Sequence, residues 1–69
     1  MLKLGKYQHY KGGLYEVLGV AIQSDTKEEL VVYKALYGHN QLWVRPLAEF
    51  LEEVDVAGEK KSRFVLINE

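Results

Sequence analysis

Thr26-Lys27-Glu28-Glu29-Leu30-Val31-Val32-Tyr33-Lys34-Ala35-Leu36-Tyr37-Gly38 is the stretch on which the fold turns. It reads in two ways. Thr26 and Glu29 have capping-box spacing and Gly38 stands where a helix could end, so Lys27 to Tyr37 fits about three helical turns. Against this, Leu30-Val31-Val32-Tyr33 is a β-branched and aromatic run. The apolar positions 30–33 and 35–37 also wrap the whole circumference of a helix instead of forming one stripe. Strand is the favoured reading, with the helix as its alternative.

Upstream, Gly12-Gly13 separates two tyrosine-bearing runs, Lys6 to Lys11 and Leu14 to Ile22, and a glycine pair supplies the positive φ angles of a hairpin turn. Leu14 to Ile22 is predicted to be one long strand bent at Gly19. Its odd positions (Tyr15, Val17, Ala21) and even positions (Leu18, Val20, Ile22) are both apolar, so a period of two does not say which face is buried; only Glu16 marks an outward position. Ser24-Asp25-Thr26-Lys27 is a turn by composition.

Downstream, Gly38-His39-Asn40 turns the chain into a short strand, Gln41 to Arg45. Pro46 then ends the ladder and opens a single helical turn, Pro46 to Leu51, with Leu47, Phe50 and Leu51 directed at the core. Val54-Asp55-Val56 and Arg63 to Ile67 are closing strands around a mobile turn at Ala57 to Lys61. The expectation is a mainly β, single-domain chain over residues 1–69: a small barrel of roughly five or six short strands with one helical turn after Pro46.

Composition limits what such a domain can be. At 69 residues there is room for one core only, and a chain of this size buries only about 60% of the surface its unfolded form exposes. Without cysteine there is no disulfide, no thiolate nucleophile and no cysteine-ligated zinc. A net charge of −1 supplies no pull toward nucleic acid or anionic lipid. No apolar run approaches the roughly 20 residues that span a bilayer, and the first residues have no signal-peptide core, so the cytoplasm is the expected location. The apolar final run, Phe64 to Ile67, fits either a monomer or a weak homodimer.

The blocks Tyr7-x-His9-Tyr10-Lys11-Gly12-Gly13-x-Tyr15-x-Val17, Leu30-Val31-Val32-Tyr33, Leu42-Trp43-Val44-Arg45-Pro46-Leu47-x-x-Phe50 and Arg63-Phe64 resemble the bacterial family called domain of unknown function 1653. The resemblance spans nearly the whole chain. It implies an SH3-like barrel, and with it a strand at Leu30 to Tyr37. It implies no activity.

Candidate chemistry lies in two blocks. His9-Tyr10-Lys11 sets an imidazole, a phenol and an ammonium beside a rigid turn, where they could bind an anionic or polar ligand; the plainer role is packing and capping. Arg45 could clamp a carboxylate or phosphate, or pair with Glu16, Glu49 or Glu52. Trp43 is the natural anchor of a binding surface, although the only Trp of so small a chain ordinarily lies in its core. Tyr15, Tyr33 and Tyr37 share that ambiguity.

The adjacent carboxylates of Glu28-Glu29 and Glu52-Glu53 would point to opposite faces of a strand and share no site. His9 and His39 lack metal-ligand spacing, and Gly12-Gly13 lacks the P-loop context. No catalytic residue, metal or cofactor is predicted. The leading expectation is a non-catalytic binding module presenting Tyr7, His9, Tyr10, Lys11, Tyr15, Tyr33, Trp43 and Arg45 to a small anionic ligand or a peptide. Its alternatives are RNA or single-stranded nucleic acid stacked on the tyrosines, which the net charge disfavours, and a small enzyme or enzyme subunit using His9 and Arg45.

Overall fold

The structure is a computed structural model and describes residues 2–68. Among these residues seven strands, β1 (Gly5–His9), β2 (Leu14–Ile22), β3 (Glu29–Ala35), β4 (Leu42–Pro46), β5 (Glu53–Val56), β6 (Glu59–Ser62) and β7 (Phe64–Asn68), accompany one short helix, α1 (Leu47–Phe50). The β-branched run therefore wins over the capping box. A helix at 27–37 would have exposed much of its apolar circumference, whereas a strand buries Val31, Tyr33 and Ala35 on one side of a sheet.

Five strands form an antiparallel sheet in the order β4-β3-β2-β1-β7, and β5 pairs with β6 in a separate hairpin. The large sheet does not close into a barrel: β4 and β7 are its edges. The expected bend of β2 is a bulge. Val17 pairs with Tyr33 but Gly19 pairs with Val32, leaving Leu18 as the extra residue. The inward set is thus odd before the bulge (Tyr15, Val17) and even after it, where Val20 faces Val31. This parity change is why both sets are apolar.

Glu16 does point outward, where Lys34 is its cross-strand partner. The core gathers Tyr7, Val17, Val31, Tyr33, Phe50 and Phe64. Phe50 rises from α1 to stack on Phe64 at 4.1 Å and meets the edges of Tyr7 and Tyr33. Leu51, expected in the core, is exposed. The helix ends at Phe50, so Leu51 already lies beyond the face that α1 presents to the sheet.

The segment expected as a mobile turn at Ala57 to Lys61 is mostly β6. Only Ala57 and Gly58 turn, both at positive φ, which is the two-residue geometry whose twist suits a hairpin. At the β1–β2 hairpin only Gly12 of the glycine pair needs positive φ (105°). Among the described residues no helix is long and apolar enough to cross a membrane.

Candidate functional site

Cross-strand register decides which aromatic residues share the inward face. Tyr7 lies opposite Tyr15, His9 opposite Phe64, Tyr33 opposite Trp43 and Val31 opposite Arg45, so all of these side chains leave the sheet on the same side. The short helix covers only part of that face. Toward β4 and the β1–β2 turn the face stays open.

Phe64, itself buried, is the floor on which the open part rests. His9 approaches its ring at 4.9 Å and Tyr15 at 5.8 Å, both edge-on, and the Arg45 guanidinium carbon lies 5.8 Å from its centroid. Tyr33, next to Tyr15 at 5.3 Å, accepts a hydrogen bond from Arg45 Nε at 3.3 Å. That bond is the main reason the guanidinium is held above its ordinary pKa, despite partial burial.

Glu49, four residues on, stands 3.8 Å from Arg45 Nη1, an ion pair without close contact. The other acids considered as Arg45 partners are engaged elsewhere, Glu16 with Lys34 and Glu52 with Arg63. The Arg45 side chain is 30% exposed. Beyond it, Trp43 is 48% exposed, placing the only tryptophan at the surface, not in the core.

Tyr37, from the β3–β4 turn, shares a hydrogen bond between hydroxyls with Tyr15. Burial first, then this bond, pushes Tyr15 up to about 12. Gly13 makes room for the pair: a Cβ there would sit 3.2 Å from the Tyr15 ring and 3.4 Å from that of Tyr37.

His9 is half-buried and neutral in character. Burial lowers its pKa from 6.5, and the charges of Arg45, Arg63 and Lys11 act in the same direction. Its Nδ1 accepts a hydrogen bond from the Lys11 amide at 3.1 Å, which in the neutral ring puts the proton on Nε2 and leaves no free lone pair for proton abstraction.

Tyr10 stacks obliquely against His9 at 4.6 Å and carries the Lys11 ammonium 5.8 Å from its own ring. His9 and Tyr10 line an open groove of about 450 Å³ together with Gly12, Lys61 and Ser62. The predicted residues therefore divide. His9, Tyr15, Trp43 and Arg45 lie on one face, Tyr10 and Lys11 flank it beyond His9, and Tyr33 and Tyr7, expected at the surface, are buried, Tyr33 bonded to Arg45 and Tyr7 with its hydroxyl donated to the Lys3 carbonyl at 2.7 Å.

Sequence reasoning missed Phe64 as the centre of the arrangement. It did not single out Phe64, and it weighed Tyr37 as a surface aromatic without placing it in the site. The i,i+4 spacing of Arg45 and Glu49 across the proline turn was the available signal for that pair. Among the described residues no cluster of His, Asp and Glu could hold a metal ion.

Comparison with known proteins agrees with this fold. No curated protein matches the chain. The crystal structure of a family member from Bordetella bronchiseptica superimposes with a TM-score of 0.90 at 35% identity, covering 97% of this chain and 88% of that one. A family model, described as "Protein of unknown function (DUF1653)", matches residues 5–66. On both grounds the chain belongs to the DUF1653 family of proteins of unknown function.

Proposed function

We propose that the chain is a non-catalytic binding module whose open aromatic face takes a small anionic ligand or an acidic peptide side chain. One observation carries the reading: Arg45 is steered by Tyr33 and backed by Phe64, yet its own carboxylate partner stays at 3.8 Å. A guanidinium fixed in direction and incompletely neutralised is suited to a planar anion, which accepts two parallel hydrogen bonds. Trp43 offers an apolar wall beside it and the Tyr15–Tyr37 pair offers hydroxyls. His9 contributes shape and an N–H donor, not proton transfer.

The test is an amide chemical-shift titration with citrate, a nucleoside monophosphate and an acidic tetrapeptide, run on the native chain and on Arg45→Ala. Saturable shifts at residues 15, 33, 43 and 45 that disappear in Arg45→Ala are the expected result. Shifts that persist unchanged in the variant, or no shifts at those residues with any probe, overturn the reading.

A further inference from the structure

The edge of the large sheet at β4 carries an inference that rests on backbone geometry and not on the ligand reading, although Trp43 belongs to both. Antiparallel ladders alternate hydrogen-bonded and non-bonded pairs. The Ala35 amide donates to the Gln41 carbonyl at 3.0 Å, which fixes the phase of the β3–β4 ladder. Gln41, Trp43 and Arg45 therefore direct their backbone groups at β3. Leu42 and Val44 direct theirs away from the sheet, where no strand among the described residues follows β4.

Natural edge strands are ordinarily blunted by charge, proline or a bulge. Here Gln41-Leu42-Trp43-Val44 is uncharged, its ladder with β3 has no bulge, and Leu42 and Val44 are 64% and 59% exposed. Pro46, without an amide hydrogen, limits pairing at one end.

We infer that this edge pairs with the same edge of a second copy, antiparallel about a twofold axis through Trp43. In that register Leu42 of each chain faces Val44 of the other, and each exchanges N–H and C=O hydrogen bonds with its opposite residue. Every outward backbone group of Leu42 and Val44 is satisfied. Shifting the axis to Val44 sets Leu42 against Pro46 instead, and the Leu42 carbonyl loses its donor.

Charge also favours the Trp43-centred register. No like charges oppose, because Arg45 falls across from neutral Gln41. A charged partner strand would instead place its charge against Leu42 or Val44. On the inward face the indoles meet at the axis, where non-bonded pairs approach most closely. The contact is one short strand per chain, smaller than the roughly 800 Å² per partner of a stable complex, so the dimer is reversible and concentration-dependent.

Sedimentation of the full chain across a wide concentration range is the test. The native chain moves from monomer to dimer as concentration rises. Leu42→Lys and Val44→Glu each change a side chain exposed in the monomer, so each folds, and each weakens association by about tenfold or more by setting a charge against an apolar side chain. Mixing the two variants restores a dimer, because Lys at 42 then faces Glu at 44; the Val44-centred register offers no such rescue. Trp43→Lys breaks the contact at the axis as an independent check. A chain monomeric at every concentration, association untouched by these variants, or a mixture that stays monomeric overturns the inference. Arg45→Ala leaves dimerisation unchanged, so the fate of the ligand reading is measured separately.

Discussion

Phe50 and Trp43 stand over the same aromatic face, one 1% and the other 48% exposed. Both are large, and each is next to Tyr33, Phe50 by ring contact and Trp43 by cross-strand pairing. What separates them is cover. The helix α1 is a single turn, enough to roof Tyr7, Val17, Val31 and Phe64 and too short to reach β4's outer residues. The residue type sets what a side chain can do, and a neighbouring element decides whether it does it in the core or at a surface.

The largest effect should come from the covered half. Phe50→Ala removes the ring stacked on Phe64 and touching Tyr7 and Tyr33. The loss is about 3–5 kcal/mol, from transfer and cavity terms together, a large share of the total stability of so small a domain. Chemical denaturation measures it. A loss below about 1 kcal/mol would mean that α1 is not the roof, and the comparison would fail at its first step.

The hydroxyl pair at the boundary comes next. Tyr15→Phe deletes the bond to Tyr37 and keeps both rings, so the expected cost is about 0.5–1.5 kcal/mol by the same measurement. The pair also sharpens the comparison at alkaline pH. The Tyr15 phenol is raised above its unfolded value near 10 to about 12. Its contribution to stability is therefore complete below pH 10 and is lost as pH rises through the folded value. Ultraviolet titration of the native chain should reveal a late Tyr15 phenol that returns toward the ordinary value in Tyr37→Phe. Unaltered late titration in that variant would leave burial as the sole cause.

Much of the fold was legible in the sequence, because the patterns that carry it are local. The β-branched run at Leu30 to Tyr33, the turn at Gly12-Gly13 and the helical turn after Pro46 each follow from conformational preference over a few residues. β6 was not legible. Glu59-Lys60-Lys61-Ser62 is exposed throughout and has no apolar face, so it is a strand only through its pairing with β5, where Lys60 lies opposite Asp55. The site was half-legible for a related reason. His9, Trp43 and Arg45 announce themselves by type, whereas Phe64 becomes central only when register sets it across from His9. Nothing in the pattern of β1 specifies that long-range pairing. Tyr7 and Tyr15 lie across from each other on the inward face of β1 and β2, and only the position of Phe50 tells which is sealed.

The smallest expected effect is the most discriminating. Trp43→Ala deletes the largest side chain in the protein, yet at concentrations low enough to keep the chain monomeric its stability should change by no more than about 1 kcal/mol, as for a half-exposed position whose cross-strand neighbour is Tyr33. The contrast with Phe50→Ala then isolates cover from residue size, since the bulkier deletion does the lesser damage. At higher concentration the variant should also lose the concentration dependence of its denaturation midpoint, because folding and association are linked in a dimer. A cost near that of Phe50→Ala in dilute solution would show the indole packed under a roof of its own, and the open half of the face would no longer be open.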